Sequence, residues 1–63
     1  MIYNMIGKDE ALTKVMNGIE TVWWVYQSPT ENYNKLFTQL VSSMSLEKFK
    51  GINDGFFIEA LDE

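Results

Sequence analysis

Thr21-Val22-Trp23-Trp24-Val25-Tyr26-Gln27 is the stretch on which the reading of this chain turns. Its β-branched and aromatic residues favour a strand, and side chains on a strand alternate between two faces. Trp23 and Trp24 therefore point to opposite sides of whatever sheet they join. Val22, Trp24 and Tyr26 form an even face that is apolar apart from the tyrosine hydroxyl. Thr21, Trp23, Val25 and Gln27 form an odd face with polar ends around an apolar centre. That contrast assigns the even face to the core and the odd face to the outside. A strand this apolar belongs in the middle of a sheet, because an exposed edge would aggregate.

The rest of the chain punctuates itself around this strand. Met1 to Ile6 reads as a short first strand, ended by Gly7. From Lys8 to Asn17 the apolar residues Ala11, Leu12, Val15 and Met16, and then Ile19, recur at the spacing of one helix face. Asp9 and Glu10 suit the positive end of that helix, and Gly18 supplies a left-handed stop. If the first strand is real, this helix should cross over to a parallel strand at Thr21–Gln27.

Ser28-Pro29-Thr30-Glu31 matches a capping box with proline at the first helical position. The positions Tyr33, Leu36, Phe37, Leu40, Val41 and Met44 then mark one helix face, to an end near Ser43–Ser45. Ser45 begins a short helical turn that stops at Gly51. Asn53-Asp54-Gly55 is a turn by composition. Phe56 to Leu61 closes the chain as a strand, with Phe56, Ile58 and Ala60 on one side and Phe57, Glu59 and Leu61 on the other. The charge on Glu59 assigns its side to solvent. The expected fold is a small two-layer α+β domain over residues 1–63. It has the order β-α-β-α-α-β, two or three strands, and helices on one face.

Composition excludes much chemistry. The 63 residues include no Cys and no His. Disulfides, imidazole bases, thiol nucleophiles and the commonest metal ligands are all missing. No phosphate-binding glycine loop is present, so the chain is expected to be no enzyme and to carry no cofactor. A chain this short buries only about 60% of its unfolded surface, so it depends on aromatic packing or self-association. It has two tryptophans, three tyrosines and four phenylalanines to do so.

Nine acids against five basic residues, all lysines, give a net charge of −4. Without the guanidinium forks that read phosphate and guanine, direct nucleic-acid binding is not expected. A partner protein with a basic surface suits the charge better. No basic region followed by an apolar run opens the chain, and no run approaches the roughly 20 residues that span a bilayer. The expectation is a soluble cytoplasmic protein.

One helix layer covers one face of a small sheet. That leaves Trp23, Val25, Phe57 and Leu61, with Tyr3 and Met5, for the open face. Either loops cover these residues as ordinary core, or they form a patch buried by a second copy or a partner. Glu59, Asp62 and Glu63 join this candidate partner-binding set. With Asp54 they cluster near the C-terminus, while Glu20, Asp9 and Glu10 lie elsewhere; the acids are either a solvated surface and charged tail or a phosphate-like array for a basic channel. Tyr3, Tyr26 and Tyr33, with Gln27, Asn32 and Asn34, are candidates for a small-molecule pocket, although such tyrosines are more often part of a core.

Asp9-Glu10-Ala11-Leu12, Gly18 and Val22-Trp23-Trp24 resemble the opening of small accessory proteins encoded by phages and prophages of Gram-positive bacteria. The resemblance covers about the first two-fifths of the chain. In size, acidity and lack of cysteine the chain is also similar to anti-CRISPR proteins. The resemblance implies a non-enzymatic inhibitor that blocks a nucleic-acid-handling defence protein, such as a CRISPR nuclease, in the bacterial cytoplasm. Two other readings are a sequestering oligomer for a nucleotide signal and a purely structural self-associating domain.

Overall fold

A computed structural model describes residues 2–29 and 35–61 of the chain. Four strands, β1 (Ile2–Ile6), β2 (Val22–Ser28), β3 (Lys35–Leu40) and β4 (Phe56–Leu61), form one sheet in the order β1-β4-β2-β3. Every neighbouring pair is antiparallel. Helix α1 (Lys8–Met16) joins β1 to β2, and a 3₁₀ turn (Val41–Ser43) and α2 (Leu46–Gly51) join β3 to β4.

This corrects the expected β-α-β-α-α-β arrangement of two or three strands. The segment read as a long capped helix after Ser28 contains a fourth strand instead. Ser28 ends β2, and Glu31 and Tyr33 lie outside the described residues. Leu36, Phe37 and Leu40 do recur at helical spacing, but a stronger demand overrides them. Without β3, one whole side of the apolar strand β2 would carry unpaired backbone groups. Pairing Trp23 with Leu40, Tyr26 with Phe37 and Ser28 with Lys35 satisfies them. The pairing also stacks Phe37 on Tyr26 at 6.2 Å between ring centroids.

β1 and β2 are both antiparallel to β4, so they run parallel to each other. They are not neighbours, however, because β4 lies between them. β2 takes an interior position, as its composition requires.

The helix ends are held by identifiable contacts, most of them local. α1 has Asp9 and Glu10 in its first turn, and Gly18, at φ 85°, lets the Ile19 N–H return to the Lys14 carbonyl at 3.0 Å. That left-handed residue satisfies a carbonyl which the helix itself leaves open. At α2 the Ser45 hydroxyl accepts from the Lys48 N–H at 3.1 Å. Lys8 then donates to the carbonyls of Lys50 and Ile52 at 3.0 and 2.7 Å, tying the end of α2 to the start of α1.

The core lies on one face of the sheet. Ile6, Val22 and Phe57 supply the sheet side, Ala11, Val41 and Phe49 the helical side, and Ile52 closes one end. Leu12, Val15, Trp24 and Met44 pack around them. Ile6, Phe57, Trp24 and Gln39 form one row across all four strands, so the face that carries Trp24 is the covered one.

Candidate functional site

The opposite face carries the row Met5, Ile58, Trp23 and Leu40, one residue from each strand. Tyr3, Ala60 and Thr21 form the next row. Among the described residues neither helix lies on this face. Trp23, Ile58 and Leu40 are half-buried on it. They enclose a groove of about 480 Å³ lined by Tyr3, Glu20, Thr21, Trp23, Thr38, Leu40, Ile58 and Ala60. The lining is mostly apolar, with hydroxyl groups from Tyr3, Thr21 and Thr38. Glu20 is its one charged lining residue among the described residues.

The expected partner-binding set does not come together here. Trp23 and Val25 are on the open face, but Val25 is buried, with Phe56 and Thr38 opposite it. Phe57 is a correction. It pairs with Trp24 and Ile6, is only 5% exposed, and packs its ring against Phe49 at 5.4 Å on the helix side. Glu59 lies on that same side, against the expectation that its charge marked solvent. The Lys14 ammonium reaches it from α1 at 3.2 Å, and the Glu59 side chain is only 13% exposed. Leu61 follows by alternation on the helix-side face, at its exposed end. Asp62 and Glu63 lie outside the described residues.

Met5 and Tyr3 do share the face of Trp23, and both are exposed. Ile58, Ala60 and Leu40 carry no local sign of this face: the charge on Glu59 assigns the first two to the core, and helical spacing assigns the third to a helix stripe. The register of Trp23 against Ile58 is the signal that assigns them, and it is a long-range pairing with no local trace.

The tyrosine pocket is not assembled either. Tyr26 stacks on Trp24 at 5.6 Å on the helix side, across the sheet from Tyr3. Tyr33, Asn32 and Asn34 lie outside the described residues.

The seam between the faces is held at Gly55. Trp24 donates its indole N–H to the Asp54 carbonyl at 2.9 Å, and Gly55 adopts φ 79° directly beneath. A Cβ on Gly55 would meet the indole nitrogen at 2.6 Å and the Val25 carbonyl oxygen closer still.

Among the described residues no cluster of acids could hold a metal, and no helix is long and apolar enough to cross a membrane. No protein-family model, curated protein or solved structure matches the chain.

Proposed function

We propose that this protein is a non-enzymatic binding module that docks the open face of its sheet onto another protein. The groove around Trp23 carries this reading. Two aromatic residues, Tyr3 and Trp23, line it together with the Glu20 carboxylate, and no lysine does. Such a lining suits an arginine or lysine side chain rising from an apolar patch, with the cation attracted to the rings and to the carboxylate. Among the described residues phosphate groups find no cation in this groove, so a nucleotide-sequestering role has no support from it. The net charge of −4 adds long-range steering toward a basic surface.

Proteins that handle nucleic acids carry such surfaces. The resemblance to phage accessory proteins directs the proposal to a defence protein of this kind, a CRISPR nuclease among them, in the bacterial cytoplasm. The chain inhibits it by occupying the surface. Glu20 and the groove replace Glu59 in this role, since Glu59 is engaged by Lys14.

The test is inhibition of DNA cleavage by CRISPR nucleases of Gram-positive hosts, with the wild-type chain, Trp23→Ala and Glu20→Gln. Trp23→Ala is expected to abolish inhibition. Glu20→Gln should weaken it most at low salt, where exposed charges are least screened. Inhibition that survives Trp23→Ala would sink the proposed surface, and no inhibition of any such nuclease would sink the proposed target class.

A further inference from the structure

The two edges of the sheet differ in chemistry, and the direction of the backbone groups on β1 can be derived. The Ala60 N–H donates to the Thr21 carbonyl at 2.9 Å, so the backbone groups of Ala60 are directed at β2. Along an antiparallel strand these groups alternate sides, and directly opposed residues either face each other or both face away. Ala60 and Ile58 therefore offer nothing to β1. Their opposites, Tyr3 and Met5, direct their N–H and C=O groups to the free edge. Ile2, Asn4 and Ile6 are the residues that bond to β4.

Among the described residues this free edge carries no charge, proline or bulge to keep it from pairing with a stranger. Ile2 to Ile6 contains no charge, proline or glycine, and its register with β4 runs without a bulge. Ile2, Tyr3 and Met5 are 57%, 54% and 69% exposed. The other edge is guarded: β3 opens with Lys35, and Lys48 is tied to its Gln39 at 2.7 Å. An uncharged, apolar, regular edge is a template for another strand.

We propose that a second copy of this chain occupies the edge, with β1 pairing antiparallel to β1 about a two-fold axis at Asn4. This register brings the outward groups of Tyr3 in one copy against those of Met5 in the other, twice, and closes four backbone hydrogen bonds. It sets the Tyr3 ring beside the Met5 sulfur, a favourable contact, Asn4 against Asn4, and Ile2 against Ile6. No like charges meet along the strand, although the chain as a whole is acidic. Pairing β1 to β3 of another copy is head-to-tail and does not close, whereas the β1 pair is isologous and stops at two. The product is a continuous eight-stranded sheet whose two Trp23 grooves lie on the same side.

Light scattering and sedimentation of the full chain over a concentration series test this independently of any inhibitory activity. The mass should double reversibly as concentration rises. Met5→Pro removes an outward N–H but no bond to β4, so the fold should persist while dimerisation weakens about tenfold or more. Met5→Lys, which adds a charge to the edge, should act likewise and serves if the proline variant fails to fold. A monomer up to about 1 mM would overturn the proposal, as would a dimer indifferent to both variants. Open-ended oligomers would point to β1–β3 pairing, and a dimer lost only in Trp23→Lys to the open face; either overturns it.

Discussion

The two faces of the sheet are built from adjacent residues of the same strands, yet they carry opposite duties. On the helix side Val22, Trp24 and Phe57 meet Ala11, Val41 and Phe49 in a closed core. On the other side Trp23 and Ile58 line an open groove with Leu40, Tyr3 and Ala60, and neither helix covers them among the described residues. Charge does not tell the faces apart. The most shielded carboxylate beside the core, Glu59, sits under the helix layer, where Lys14 reaches across to it. The open face holds an apolar groove instead. Glu59 shares its side of β4 with Phe57 by alternation, so burying that ring carries the carboxylate inward, and Lys14 offsets its charge there.

Three single substitutions and one double-mutant cycle bear on this contrast, taken in order of expected effect on stability. Phe57→Ala opens a cavity against Phe49 and Ile6 and should destabilise by about 3–5 kcal/mol, measured by urea unfolding. If Phe57 faced outward the loss would be far smaller, and the faces would have to be exchanged. Gly55→Ala strikes the seam. It forces a Cβ into Trp24 and the Val25 carbonyl at a positive φ, and should cost about 1–3 kcal/mol. It should also shift the indole N–H resonance of Trp24 in a nitrogen–proton NMR spectrum, leaving that of Trp23 in place.

Trp23→Ala should lower stability by no more than about 1 kcal/mol, since its removal leaves the core cluster intact. Global unfolding by this variant would contradict the open face. The smallest effect belongs to Lys14 and Glu59. A double-mutant cycle with Lys14→Met and Glu59→Gln should give a coupling of about 0.5–1 kcal/mol that falls as salt is added. Zero coupling at low salt would show that Lys14 does not offset the carboxylate beneath the helices.

Legibility followed the range of the interactions. Ser28 and Ser45 make the point. Ser28-Pro29-Thr30-Glu31 carries the fuller helix signature, yet Ser28 is the last residue of β2 and is buried. Ser45, with the plainer signature, caps α2 as expected. Nothing nearby competes for Leu46–Gly51, whereas an unpaired strand competes for Lys35–Leu40. The Trp23 side of the candidate site was readable from alternation alone. Its other walls, Ile58, Ala60 and Leu40, were not, because they arrive by cross-strand register.

By itself the sequence determined the local elements whose causes lie within a few residues: α1 between Asp9 and Gly18, α2 after Ser45, the turn at Gly55, and the two-faced strand with its paired tryptophans. It also determined the lack of thiol and imidazole chemistry, which is a matter of composition. Only the tertiary structure decided that Lys35–Leu40 is a strand, that β4 separates β1 from β2, and that Glu59 faces the helices. Each of these satisfies a demand made by a distant residue: hydrogen-bond partners for β2 and a cation for a shielded carboxylate. Such demands exist only once the chain has closed on itself.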